Sequence, residues 1–77
     1  MDYFYRRIRD LREDHDMTQE QIAEYLQKDV RQYRRYELGE REIPVHLLRR
    51  LARLYNTSAD YILEMTDDPR PYKRMIE

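Results

Sequence analysis

Two helix starts lie so close together in this chain that the helices they begin cannot pack side by side. The first is Thr18-Gln19-Glu20-Gln21, a capping box with Thr18 as N-cap and Gln21 at the third helical position. The second is Asp29, a good N-cap with Gln32 three residues on to complete another box. The first of these helices buries Ile22, Ala23 and Leu26 and ends near Gln27, so Gln27 and Lys28 alone separate it from Asp29. Two short helices joined so tightly must cross at a steep angle. Gly39, the chain's one glycine, closes the second helix where a left-handed C-cap falls.

Within the 29–39 helix, Tyr33 and Tyr36 are three apart and share a face, while Arg31, Arg34 and Arg35 occupy others with Gln32 beside them. An aromatic anchor opposite cationic and amide side chains is what reading the DNA major groove requires, because arginine and glutamine can pair bidentately with base edges. Arg31 and Arg35, four apart, point the same way, and each can meet guanine N7 and O6; Val30 can touch a thymine methyl. The same residues also suit a solvated amphipathic helix, and Arg31 can instead pair with the carboxylate of Asp29. The steep crossing is the geometry of a helix-turn-helix, whose second helix enters the major groove while the first crosses the backbone.

Around this pair the chain reads as helical throughout. Tyr3 to Glu13 carries Phe4, Ile8 and Leu11 on one stripe, and Asp14-His15-Asp16 breaks it. Glu40 to Pro44 is a loop, with Pro44 suited to the first turn of a fourth helix that runs to about Tyr55. That helix presents Leu47, Leu48, Leu51 and Leu54 with small Ala52, and Asn56 stops it. Ser58 caps a fifth helix to about Met65, and 66–71 reads as a linker-like stretch before a polar tail.

A chain of 77 residues without cysteine is one domain with a modest core and neither disulfide nor thiolate metal site. No apolar run approaches membrane-spanning length and the N-terminus lacks the apolar core of a signal peptide, so the expectation is a cytoplasmic, nucleoid-associated protein. Net charge is −1, which by itself does not favour nucleic acid, but its distribution is uneven. Residues 31–53 hold seven arginines against three glutamates, whereas 54–68 hold four acidic residues and no base. His15 and His46 have no metal-ligand or nucleophile–base spacing, and the carboxylates are dispersed. The expectation is no enzyme, no metal and no cofactor.

Six strings in order, Leu11-Arg12, Met17 to Ala23, Tyr36 to Gly39, Ile43-Pro44, Leu48 to Ala52 and Ser58 to Ile62, resemble the phage-repressor type of helix-turn-helix domain, the lambda repressor/Cro or XRE-like family. The resemblance covers roughly residues 5 to 66. It implies that Val30, Arg31, Gln32 and Arg35 face base edges, that Gln19 contacts phosphate, and that Arg34 and Arg41 reach flanking phosphates. It also implies a structural ion pair between Arg12 and Glu37, and a buried position for Tyr33, whose hydroxyl then needs a partner. Three residues depart from the family pattern. Gln27 stands where the family's turn usually has glycine, at a cost of roughly 1 kcal/mol. Asp29 replaces the usual Ser or Thr cap, and Val45 lies where a polar cap is common.

The expected architecture is therefore all-α, a compact five-helix bundle of the lambda-repressor-like type with the helix-turn-helix in helices 2 and 3. Residues 1–66 form the domain and 67–77 the tail. The expected function is sequence-specific double-stranded DNA binding as a transcriptional regulator, a repressor acting as a homodimer on a pseudo-palindrome. Tyr61, Ile62 and Met65, with Tyr72, Met75 and Ile76 of the tail, are the expected dimer surface, with core packing the alternative for the helix-five residues and disorder for the tail, and no small-molecule ligand is evident. The alternative is a protein-interaction module, antitoxin-like, that keeps the fold and has little or no specific DNA binding.

Overall fold

Among the described residues every helix is followed within two residues by one with left-handed backbone, and this device sets the turns between them. The computed structural model describes residues 5–72. Its helices are α1 (Arg6–Asp14), α2 (Gln19–Leu26), α3 (Val30–Leu38), α4 (Val45–Leu54) and α5 (Ala59–Ile62), and the described residues contain no strand. The left-handed residues are Asp16, Gln27, Gly39, Asn56 and Glu64. The amide just past each one reaches back to a carbonyl of the final turn. Met17 N donates to Arg12 O, Lys28 N to Ala23 O, Glu40 N to Arg35 O, Thr57 N to Ala52 O and Met65 N to Asp60 O, all at 2.8–3.0 Å. These bonds satisfy carbonyls that a helix C-terminus would otherwise leave orphaned.

The helix starts are chemically varied. At α2 the Thr18 capping box is complete: Gln21 N donates to Thr18 Oγ1 at 3.1 Å and Thr18 N to Gln21 Oε1 at 2.8 Å. At α3 the expected box with Gln32 does not form. Asp29 Oδ1 instead accepts from Arg31 N at 2.8 Å, and Gln32 Nε2 donates to the Tyr36 hydroxyl at 3.2 Å. Pro44 is the N-cap of α4 rather than a residue of its first turn, and it has no side-chain oxygen to offer. The fifth helix is one turn long and stops at Ile62, three residues earlier than its apolar pattern suggests, because Glu64 turns left-handed. The first starts at Arg6; Tyr3 and Phe4, assigned to it from sequence, lie outside the described residues.

The core is small and rich in tyrosine. Ile8, Ile22, Leu26, Leu47, Leu51 and Ile62 are sealed from solvent together with Tyr33, and Tyr5, Tyr36 and Tyr55 are buried beside them. Tyrosine can serve a thin core because the ring supplies apolar area while the hydroxyl seeks a polar edge. Ile43 N donates to the Tyr5 hydroxyl at 3.1 Å, and the Tyr33 hydroxyl donates to Glu37 Oε2 at 2.6 Å.

Glu37 fixes how α3 sits on α1 and α2. Besides the Tyr33 hydroxyl, its carboxylate accepts from Arg12 Nε at 2.7 Å, Arg12 Nη2 at 3.3 Å and Gln19 Nε2 at 3.0 Å. Arg12 also donates to Met17 O at 3.0 Å. The side chains of Arg12 and Glu37 are only 13% and 5% exposed, so each charge depends on the other. Burial opposes ionisation of Glu37, but the hydrogen bonds from Arg12, Tyr33 and Gln19 outweigh it and hold the carboxyl below its ordinary value. Burial and then the bond to the Glu37 carboxylate push the Tyr33 phenol far up, so it stays a donor.

A second clamp holds the turn between α2 and α3. Arg50 of α4 donates from Nη2 to Tyr25 O at 2.7 Å and from Nη1 to Leu26 O at 3.5 Å, and its guanidinium lies 5.1 Å from the Tyr25 ring centroid. A cation on the last carbonyls of α2 complements that end of the helix dipole. A third clamp is Arg7, which donates to the carbonyls of Tyr61 at 2.7 Å and Thr66 at 2.6 Å and stacks over the Tyr61 ring. It draws the segment after α5 against α1. The Thr57 hydroxyl donates to Pro69 O at 2.6 Å, anchoring the described part of the tail as well.

Two stability measurements follow from these contacts. Gln27→Gly relieves a side chain at φ 59° and is expected to stabilise the domain by about 1 kcal/mol, raising Tm in a thermal melt by about 4–8 °C. Glu37→Gln leaves Arg12 buried without its counter-charge and is expected to cost about 3–5 kcal/mol in denaturant unfolding at neutral pH. Because the folded-state pKa of Glu37 lies below the ordinary 4.5, its contribution is complete above about that pH and is lost as pH falls through the lower folded value. The gap between wild type and variant should therefore close on the acid side.

Candidate nucleic-acid interface

With Tyr33 and Tyr36 turned into the core, α3 has its remaining faces free for polar side chains. Arg31, Gln32, Arg34 and Arg35 are exposed. All the candidate contact residues but Val30 fall into two concavities flanking the helix. One, of about 400 Å³, is lined by Asp29, Arg31, Gln32, Arg35, Tyr36 and the loop residues Arg41, Glu42 and Pro44. The other, of about 540 Å³, lies toward α1 and α2 and includes Gln19, Glu20, Arg34 and the inner pair Arg12 and Glu37.

Within the first concavity the side chains differ in how far they are held. Arg35 and Arg41 make no hydrogen bond or ion pair among the described residues and project as unneutralised cations. Gln32 is tethered to the Tyr36 hydroxyl. Arg31 is paired side-on with Asp29, Nε to Oδ1 and Nη2 to Oδ2, both at 3.3 Å, with side chains 81% and 54% exposed. The hydrogen bond from the Arg31 side chain, followed by that from its backbone amide, holds the Asp29 carboxyl below its usual range, and the same pair raises Arg31. Val30 packs partly against the core, which leaves less of its side chain for a partner than Arg31 or Arg35 offers.

In the second concavity Gln19 is the hinge of a chain of contacts. Its amide nitrogen donates to Glu37 while its Oε1 accepts from Arg34 Nε at 2.9 Å, and Arg34 Nη2 reaches Glu20 at 3.3 Å. Gln19 thus links the buried ion pair to an exposed arginine at the mouth of the helix pair. Arg50, the clamp on the turn, was not distinguishable in sequence from the solvated arginines beside it. Its one signal is that it stands beside Leu51 on the inward side of α4.

The surface expected to pair two copies is altered in one respect. Ile62 is completely buried, because the short α5 turns it onto the core, so it cannot contribute to an interface. Tyr61 is half-buried under Arg7, whereas Leu63, Met65 and Tyr72 are exposed, the Tyr72 hydroxyl donating to Asp60. Met75 and Ile76 lie outside the described residues. Among the described residues no helix is long and apolar enough to cross a membrane.

Comparison with known proteins agrees with this geometry. The sequence model of the helix-turn-helix family matches residues 8–62, from the buried Ile8 of α1 to the buried Ile62 of α5. The chain is 44% identical over 68 residues to an uncharacterized HTH-type transcriptional regulator, YobD, of Bacillus subtilis (strain 168). The match takes in 88% of this chain and 61% of that relative's length. No solved structure matches the chain. The five helices of the described residues, the short α2–α3 connection and the extent of the match identify the chain as a member of the XRE-like helix-turn-helix family.

Proposed function

We propose that this protein binds double-stranded DNA in a sequence-specific manner by placing α3 in the major groove, and that it regulates transcription as a repressor in the cytoplasm. The observation that carries the reading is the set of exposed arginines on and beside α3. Arg31, Arg35 and Arg41 line one concavity with Gln32, on a helix held rigidly from behind by Tyr33, Tyr36 and Glu37. Residues 1–66 form the reading unit. Arg31 and Arg35 meet guanine edges, with Gln32 and Val30 beside them. Arg34, Arg41 and Gln19 serve the phosphates, and Gln19 does so while bonded to Glu37. The family membership and a relative named as a transcriptional regulator support the same reading. It is a binding role and not a catalytic one.

One module of this size makes few contacts, and two copies on a pseudo-palindrome, with half-sites about 34 Å apart, would multiply them. Leu63, Met65 and Tyr72 are the exposed apolar residues near α5 that suit such pairing.

A selection from random duplex DNA tests the proposal. The expected product is a two-fold symmetric motif whose binding weakens steeply with added salt through counterion release. Arg35→Ala should erase preference at one position per half-site, about 5- to 150-fold. Arg41→Ala should weaken all duplexes alike and lower the salt slope by about one. Failure to enrich any motif, with only weak salt-sensitive binding, would overturn the reading and favour a protein partner. Sedimentation with and without the selected duplex reads the stoichiometry.

A further inference from the structure

We propose that Asp29 is a positioning residue for base reading: it holds the Arg31 guanidinium side-on, so that the outer edge of the guanidinium is presented to guanine. The inference rests on the proposal that α3 reads the major groove. Three bonds define the arrangement. Asp29 Oδ1 accepts from the Arg31 amide at 2.8 Å and from Arg31 Nε at 3.3 Å, and Oδ2 accepts from Arg31 Nη2 at 3.3 Å.

A guanidinium has five N–H donors in a planar fork. Side-on pairing occupies the Nε hydrogen and one hydrogen of Nη2. Three remain, and the pair on the end-on edge, one from Nη1 and one from Nη2, is parallel. That edge matches the O6 and N7 acceptors of guanine. The arginine therefore need not leave Asp29 to read a base, and a side chain already held gives up less freedom on docking.

The pair serves stability little, since both partners are largely exposed and such pairs contribute weakly. Capping α3 requires only one oxygen on the Arg31 amide, which serine or asparagine supplies equally. What the carboxylate adds is its second oxygen and its charge. That charge faces the phosphates and opposes binding to any duplex, so its gain lies in discrimination.

The chain contains the same device a second time. Asp68 Oδ1 accepts from the Arg70 amide and Nε, both at 3.0 Å, and Oδ2 accepts from Arg70 Nη2 at 2.8 Å. The geometry thus forms without DNA where Asp-x-Arg stands outside a helix interior; at Asp10-Leu11-Arg12, within α1, Arg12 pairs with Glu37 instead. The Asp68 copy lies in the C-terminal segment, outside the concavity beside α3, and provides an internal control.

The experiment compares wild type, Asp29→Ser, Asp29→Asn, Arg31→Ala and Asp68→Ser on the duplex selected by wild type and on all its single-base variants, with circular dichroism to confirm folding. Arg31→Ala locates the guanine it reads. At that position both Asp29 variants should lose at least fivefold of the guanine preference, the lower end of the roughly 5- to 150-fold that one bidentate pair supplies. Their binding to unrelated duplex should be unchanged or tighter, and Asp68→Ser should match wild type. Guanine preference within twofold of wild type in folded Asp29→Ser and Asp29→Asn would overturn the positioning role while leaving base reading by α3 intact. No motif for wild type, or a preference untouched by Arg31→Ala, would overturn base reading itself and the positioning role with it.

Discussion

The Glu37 carboxylate is the point on which the orientation of α3 depends. It sits on the last turn of that helix, yet its partners come from α1, from the first residue of α2 and from α3 itself. A buried anion is costly unless its acceptor positions are filled, and here four donors fill them. Each donor is directional, so together they define a position as well as an energy. The tyrosine at position 33 belongs to this arrangement: an aliphatic side chain there would fill the core but leave Glu37 with one bond fewer. The polar centre of the bundle and the placement of α3 are thus one construction, and a change at Glu37 would reach the exposed face only through the loss of this alignment.

Between the buried network and the solvent-exposed concavities there is a gradation in how firmly the arginines are held. Arg12 is locked, Arg50 and Arg7 are spent on carbonyls, Arg34 is tied to Gln19, Arg31 is held at one edge, and Arg35 and Arg41 project freely. A count of positive charge misses this order. The net charge of −1 understates the cationic character of the α3 surface because most acidic residues lie outside the 31–53 stretch, which holds seven arginines against three glutamates.

Much of the fold was legible because its signals are local. Thr18 with Gln21, Gly39, Ser58 and the spacing of Ile22, Ala23 and Leu26 each specify a cap or a buried face within one or two turns of chain. The capping of α3 was read with the right residue and the wrong partner, because Asp29 has two candidate amides within reach and its pairing with the Arg31 side chain favours the nearer. The assignment of Ile62 to an outer surface followed from extending α5 to Met65; a left-handed Glu64 gives no compositional warning. The clamps made by Arg50 and Arg7 were illegible for a different reason. Their acceptors are backbone carbonyls 24 to 59 positions away in sequence, and a carbonyl carries no residue identity.

The left-handed helix ends have a consequence for how such a chain can change over time. Four of the five are occupied by residues with a Cβ, at Asp16, Gln27, Asn56 and Glu64, and none of these belongs to the concavity beside α3. Each terminates a different helix through its own backbone bonds, so substitutions there should combine nearly additively. The chain therefore carries a set of independent dials for stability that do not alter the side chains presented by α3. Lineages of this domain could drift in thermal tolerance or cellular lifetime while the surface on α3 stayed the same, and that surface could in turn accept destabilising changes whenever one of these turns had gained a glycine.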